Sequence, residues 1–167
     1  PFAYAPELHY PEPCASEQER KRFSSDVAFV GSGDPDRVPY VAALIGAKFN
    51  VGLYGSFWEH YPETRGYSRG QVDVRTLRLA LGETKVALCL VRRANRDGNS
   101  MRTFEVPAIG ACMLAEDTAE HRDIFGEDGK TVVYFRDIGD MLGKIRWLLL
   151  NEPERKRLAA AAHALVT

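Results

Sequence analysis

The segment Asn99–Glu105 begins with a polar turn that follows Gly98. It ends at the carboxylate of Glu105, one helical turn further along the chain. An apolar run at Val86–Val91 comes before it and predicts a buried parallel strand. The turn therefore lies where a strand ends and a helix over 101–109 begins. Free N–H groups at 99–102 would face an anion there, since ligands of an open parallel sheet collect at the carboxyl ends of its strands. This arrangement predicts a site for phosphate and ribose, with a nucleoside diphosphate as the natural ligand.

A second glycine-containing loop, Gly31-Ser32-Gly33, follows the first predicted strand. Two glycines let the backbone approach a ligand closely, although a plain turn between strand and helix explains the same pattern equally well. Asp34 followed by Pro35 predicts the start of a helix. Arg37 falls in the first turn of that helix, where the helix dipole disfavours a cation. An anionic ligand would account for Arg37; a solvated surface arginine is the alternative.

Composition limits the classes of function. The chain has 167 residues, of which 45% are hydrophobic, and 22 Lys and Arg are balanced by 23 Asp and Glu. This near-neutral balance without a basic stripe argues against nucleic acid as a partner. No apolar run approaches the roughly 20 residues that a membrane span requires.

Neither a metal site nor a disulfide is expected. The three cysteines lack metal-ligand spacing, so we expect reduced thiols and a cytoplasmic location, and we see no signal peptide. Asp34-Pro35-Asp36 has the spacing of a metal clamp, but its proline favours helix capping.

The chain divides into two parts. Four prolines before residue 14 disfavour a helix or a central strand, so residues 1–25 are interpreted as an interdomain linker or strap. From residue 26, strands and helices alternate, which predicts an α/β fold, a Rossmann-like parallel sheet with helices on both faces, over 26–167. The predicted strands are 27–30, 50–54, 86–91, 111–115 and 131–135, and the predicted helices are 38–47, 74–81, 101–109, 118–125, 138–150 and 154–166.

The stretch Met101–Ala111, followed by Leu114–Thr118 and Phe125, resembles the C-terminal domain of spore-maturation (CgeB-like) glycosyltransferases. These belong to the GT-B class and are related to glycosyltransferase group 1. The resemblance covers nearly the whole chain, and Pro1–Pro11 is similar to the strap between the two Rossmann-like domains of such enzymes. It implies a donor-binding half whose N-terminal acceptor-binding domain is missing from this chain. It also implies a metal-independent, retaining transfer that uses a nucleotide-sugar donor and no cofactor.

The resemblance also implies roles for individual residues. Asp97, where glutamate is usual, would lie near the sugar, and Glu105 would hold the ribose hydroxyls rather than contact the core. Arg37 would be the second member of a basic pair that neutralises the diphosphate, while Ser32 stands where an arginine is common. Arg102, Arg92 and Arg93 are the candidates for the missing charge. The predicted catalytic residues are Arg37 and Asp97, and the predicted donor-binding residues are Gly31, Ser32, Gly98, Asn99, Ser100, Met101, Arg102 and Glu105.

Alternatives remain at this stage. A non-catalytic Rossmann-like nucleotide-binding or interaction module is the runner-up, and a flavodoxin-like or receiver-type domain would leave Glu105 and Arg37 unexplained. His121 is expected to be solvated or at a helix end, with a catalytic base as the alternative. His60 would face an acceptor, close over the donor or pack at a loop tip on the sheet edge. Trp147 is expected in the core.

Overall fold

The computed structural model describes residues 3–167, so the first two residues of the predicted strap lie outside the described part. One sheet of five parallel strands has the order β2-β1-β3-β4-β5. The chain passes from β1 to β2 on one side and returns to β3 on the other. The strand order therefore reverses between β1 and β3, where open α/β sheets bind ligands. The strands are β1 (Ser25–Val30), β2 (Val51–Tyr54), β3 (Thr84–Cys89), β4 (Met113–Glu116) and β5 (Val133–Phe135).

Helices cover both faces of the sheet. In β3, Val86 and Leu88 point into one apolar cluster, while Ala87 and Cys89 point into the other. Helices α2 and α6 pack on the first face, α3, α4 and α5 on the second, and α7 contributes to both. The helices are α1 (Glu17–Phe23), α2 (Val38–Gly46), α3 (Val74–Gly82), α4 (Arg102–Ile109), α5 (Ala119–Phe125), α6 (Ile138–Leu150) and α7 (Glu152–Val166).

The predicted Rossmann-like α/β fold is confirmed, and the predicted elements are present with ends shifted by one or two residues. None of the helices within residues 3–167 is long and apolar enough to cross a membrane. The expectation that Trp147 lies in the core is wrong, because its side chain is 46% exposed. The buried stripe of α6 runs through Met141, Ile145 and Leu148, and Trp147 falls beside that stripe.

Helix α1 is an element that the sequence analysis missed within 1–25. Ser16 caps it by accepting the Glu19 N–H, and Glu19 accepts the Ala15 N–H in return. This resembles a capping box, with the N–H of Ala15 in place of that of the cap residue Ser16, and the Ser16 and Glu19 spacing makes it readable from the sequence. Residues 3–14, called the N-terminal strap below, run ahead of α1 and pack along α3.

Candidate functional site

A cavity of about 210 Å³ opens at the carboxyl ends of β1 and β3, where the strand order reverses. Seven of the ten predicted site residues line it, and Ser32, Gly98 and Glu105 do not. The lining residues are Phe29, Val30, Gly31, Arg37, Leu90, Arg92, Asn95, Asp97, Asn99, Ser100, Met101 and Arg102. The two loops that the sequence analysis treated separately therefore form a single site.

Arg37 forms one wall of this cavity and is buried, which rules out the solvated alternative. Its guanidinium donates to the Ser32 carbonyl at 3.1 Å and to the Leu90 carbonyl at 3.2 Å. The side chain thereby connects the loops that follow β1 and β3. Its Nε makes no hydrogen bond within residues 3–167. Burial is the main cause that lowers the pKa of Arg37, opposed by the nearby Asp34 carboxylate. An arginine of this intrinsic basicity stays charged.

Arg102 forms the opposite wall. Its Nε donates to the Val30 carbonyl at 3.2 Å, and its guanidinium contacts the Glu105 carboxylate. Arg92 is the third arginine of the lining, whereas Asp97 is the one carboxylate there. The lining therefore carries more positive than negative charge, while Asp34 lies near Arg37 and Arg92, and Glu105 contacts Arg102, from outside the lining. Arg102 and Arg92 therefore remain candidates for the charge that Ser32 does not supply.

Buried polar groups stabilise the turn before α4 through hydrogen bonds. The Ser100 N–H donates to Thr103 Oγ1 at 2.9 Å, so this N–H is not free for an anion as the sequence analysis expected. Thr103 in turn lies 3.0 Å from His121 Nε2, and His121 Nδ1 lies 2.7 Å from the Glu116 carbonyl. Since a carbonyl only accepts, the proton of the neutral ring lies on Nδ1, and Nε2 then accepts the Thr103 hydroxyl.

His121 is thus neither solvated nor merely at a helix end, because it is fully buried. The Cys89 thiol lies 3.8 Å from Thr103 Oγ1 and 3.9 Å from Ser100 Oγ in the same cluster. Glycine spacing and helix periodicity do not reveal that Thr103 and His121 stabilise the turn before α4. The signal that could have revealed it is the presence of Thr103 and His121 on the inner faces of two neighbouring helices.

Glu105 contacts Arg102 but does not line the cavity, and it is only 2% exposed. Both carboxylate oxygens have neighbours: Oε2 contacts Arg102, and Oε1 lies 3.4 Å from His9 Nε2. Arg102 and Glu105 are three residues apart on one face of α4, which explains their contact. His9 belongs to the N-terminal strap and was not among the predicted site residues.

The glycines after β1 serve packing first. The Gly31 and Gly33 N–H groups donate to the Tyr54 and Ser56 carbonyls at 2.9 and 2.8 Å, so they do not point at a ligand. A Cβ atom on Gly33 would lie 3.0 Å from the ring of Trp58. Trp58 Nε1 also donates to the Gly31 carbonyl at 2.7 Å. Packing against Trp58 therefore fixes the conformation of this loop. Gly31 lines the cavity, but its N–H is not available to a ligand.

Two further predicted features have local structural roles. The Gly98 carbonyl accepts the Thr118 hydroxyl at 2.6 Å, which ties the turn to the start of α5. Asp34 Oδ1 accepts the N–H groups of Asp36 and Arg37 at 3.0 and 2.9 Å, but the turn that it closes comes before α2. The helix begins at Val38 with Arg37 as its N-cap residue, so the predicted helix start at Asp34-Pro35 is wrong by about one turn. Across the described residues no group of three or more His, Cys, Asp and Glu side chains could hold a metal ion.

Comparisons with known proteins give the family. A family model described as glycosyl transferase-like matches residues 37–167. HepE of Anabaena, solved in complex with UDP and glucose, has a TM-score of 0.75 at 10% identity, covering 98% of this chain and 50% of HepE. Sucrose-phosphate synthase from Thermosynechococcus elongatus has a TM-score of 0.69 at 14% identity, covering 99% and 46% of the two chains. The C-terminal domain of the glycosyl transferase group 1 family protein LpcC from Francisella tularensis has a TM-score of 0.69 at 12% identity, covering 98% and 96%.

The chain spans about half the length of HepE and of sucrose-phosphate synthase, and nearly all of the LpcC domain. No curated protein matches it. At these identities the solved structures establish the fold alone, whereas the family model covers most of the chain. The chain therefore belongs to the glycosyl transferase-like family of group 1, with the fold of a GT-B C-terminal domain.

Proposed function

We propose that this chain is the donor-binding domain of a glycosyltransferase that moves a sugar from a nucleoside-diphosphate sugar to an acceptor. The observation that supports this most directly is the cavity between β1 and β3, where Arg37, Arg92 and Arg102 converge beside the first turn of α4. At the start of α4 the N–H groups of Thr103, Phe104 and Glu105 donate to the Ser100 and Met101 carbonyls. A backbone contact to phosphate would therefore come from the N–H groups of Met101 and Arg102, beside the three arginines.

The proposed chemistry follows from the charge of the leaving group. Breaking the bond between the sugar and the nucleoside diphosphate places negative charge on the β-phosphate. Arg37, Arg102 and the N–H groups at the start of α4 would stabilise that charge from fixed positions. This cationic site can act without a metal, which is part of the proposal. Asp97 lines the same cavity and is the proposed neighbour of the sugar. Retention of anomeric configuration is proposed on the resemblance to group 1 enzymes.

The ribose role of Glu105 requires a rearrangement. Arg102 lines the cavity and contacts the Glu105 carboxylate directly, whereas Glu105 does not line the cavity. A diphosphate would compete with Glu105 for the same guanidinium. Once Arg102 turns to the diphosphate, the carboxylate is free to accept two hydrogen bonds from vicinal ribose hydroxyls. The proposal therefore couples phosphate binding to ribose binding.

Three finer parts of the proposal rest on the resemblance and the coverage. The stretch Arg102–Gly110 supports assignment to the CgeB-like spore-maturation branch. The chain spans about half of HepE, and we propose that the acceptor-binding domain is the other half of a longer enzyme. The free cysteines Cys14, Cys89 and Cys112 are consistent with the proposed cytoplasmic location.

The test is direct binding by calorimetry. UDP is the first nucleotide to try, because HepE was solved with UDP and with UDP-glucose. UDP, GDP, ADP and TDP would be titrated into the chain with EDTA present, with uridine as the uncharged control. We expect one diphosphate to bind and uridine to bind far more weakly. Failure of all four at millimolar concentration would favour the non-catalytic interaction module instead.

A further inference from the structure

The N-terminal strap reaches the Glu105 carboxylate through His9. His9 Nε2 lies 3.4 Å from Glu105 Oε1, with both side chains largely removed from solvent. His9 Nδ1 accepts the Ala5 N–H at 3.0 Å, so the proton of the neutral ring lies on Nε2 and faces the carboxylate. Burial, with help from Arg102 and Arg78, lowers the pKa of His9 and favours the neutral ring.

Arg78 of α3 fixes the strap on both sides of His9. Its guanidinium donates to the Leu8 carbonyl at 2.8 Å and to Glu12 Oε2 at 2.6 Å. The same guanidinium lies 4.3 Å from the centre of the Tyr10 ring. Leu8 and Tyr10 are the residues directly before and after His9. The position of the His9 ring is therefore determined by Arg78 from a helix outside the cavity.

Arg102 and His9, the two neighbours of Glu105, differ in whether a bound diphosphate can move them. Arg102 lines the cavity, so a bound diphosphate can draw its guanidinium away from Glu105. His9 does not line the cavity, so the diphosphate leaves it in place. On the basis of the proposed function, we propose that His9 is a positioning residue that holds Glu105 for the ribose hydroxyls. The N-terminal strap is then part of the donor site, and its docking on α3 sets the affinity for the nucleoside.

This inference separates two ligands that share the cavity. UDP would use the arginines and Glu105, whereas inorganic pyrophosphate would use the arginines alone. His9→Ala is therefore expected to weaken UDP binding roughly three- to tenfold, the scale of one polar contact, and to change pyrophosphate affinity less than about twofold. His9→Gln retains an N–H donor near the position of Nε2 and should recover most of the UDP affinity. His60→Ala removes an exposed histidine outside the cavity lining, whose neighbours are Glu59 and the Phe57 ring, and it serves as the matched control.

Arg78→Met tests the same inference from the helix side. It retains the apolar stem, removes the contacts to Leu8 and Glu12, and should also weaken UDP more than pyrophosphate. The double variant of Arg78→Met and His9→Ala should lose less UDP-binding free energy than the sum of the two single losses, because both substitutions act on the His9 ring. If Arg78→Met does not fold, the His9 variants alone decide.

The outcomes distinguish this inference from the proposed function. If the wild-type chain binds no nucleoside diphosphate, the proposed function fails and this inference fails with it. If the wild type binds UDP and His9→Ala binds it equally well, only the inference about the strap is overturned. Equal losses for UDP and pyrophosphate, without recovery in His9→Gln, would also overturn it, since they indicate a general disturbance of the pocket.

Discussion

Arg37 has two tasks in this site that mutagenesis has to separate. It lines the cavity, and it also satisfies the carbonyls of Ser32 and Leu90. A residue that only bound phosphate would be removable without cost to the fold. Because Arg37 also connects two loops, its loss should affect stability as well as affinity, and a comparison of charged and uncharged ligands is needed to isolate the first task.

Arg37→Ala is expected to weaken UDP binding about ten- to a hundredfold, which corresponds to a lost charged hydrogen bond of roughly 1.5–3 kcal/mol. Uridine carries no phosphate, so its affinity should change little. Calorimetry with both ligands measures the difference, and thermal unfolding measures the stability lost with the two carbonyl contacts. Arg136→Ala is the control, because this arginine lies outside the cavity lining and its side chain is 79% exposed. Equal losses for UDP and uridine would remove the assigned phosphate role.

Glu105 requires a milder substitution than the sequence suggested. Removing this buried carboxylate leaves Arg102 without its acidic partner, so Glu105→Ala should destabilise the fold rather than leave it intact. Glu105→Gln retains the shape and one acceptor. We expect it to weaken UDP about tenfold and to leave pyrophosphate binding unchanged or slightly tighter, because Arg102 is released. Glu127→Gln, at an exposed position outside the cavity lining, is the matched control. UDP affinity unchanged in Glu105→Gln would exclude a ribose contact.

At the scale of elements, the sequence was enough to predict that the site lies at the end of a strand. It was not enough to predict which side chains contact one another there. The run Val86–Val91 and the turn at 99–102 both suggested a ligand at the end of β3, and the cavity lies there. Those inferences needed only local patterns and the rule for parallel sheets. The neighbours of Glu105 and the burial of His121 depend on which helix faces which segment. Periodicity within one element does not contain that information.

The turn before α4 offers a test at this scale. Thr103 accepts the Ser100 N–H and donates to His121, so Thr103→Val removes both bonds while conserving the shape. We expect a loss of about 1–3 kcal/mol in the free energy of unfolding, together with weaker binding of UDP and pyrophosphate alike. Thr103→Ser retains the hydroxyl and should restore most of the stability and most of the ligand affinity. Normal pyrophosphate affinity in Thr103→Val would show that the turn does not need this support.

Residues 3–167 form one sheet, and the candidate site lies in the crevice where its strand order reverses, which limits what this chain can do alone. The cavity at the β1 and β3 ends can hold a diphosphate, but its 210 Å³ cannot enclose a nucleotide sugar and its acceptor together. Structures of twice this length, such as HepE, share the fold in half of their chain. We infer that the surface facing the reacting carbon belongs to another domain.

The last prediction is therefore that this chain binds a nucleoside diphosphate with modest affinity and transfers no sugar. Excluding water from the anomeric carbon requires a second surface that closes over the donor, and residues 3–167 form only one side of such a site. Ligand at 100 times its dissociation constant should raise the free energy of unfolding by about 2.7 kcal/mol, which thermal unfolding detects. Turnover would be sought by incubating the chain with UDP-glucose and following UDP release with and without candidate acceptors. Efficient acceptor-dependent release by this chain would show that a second domain is not required.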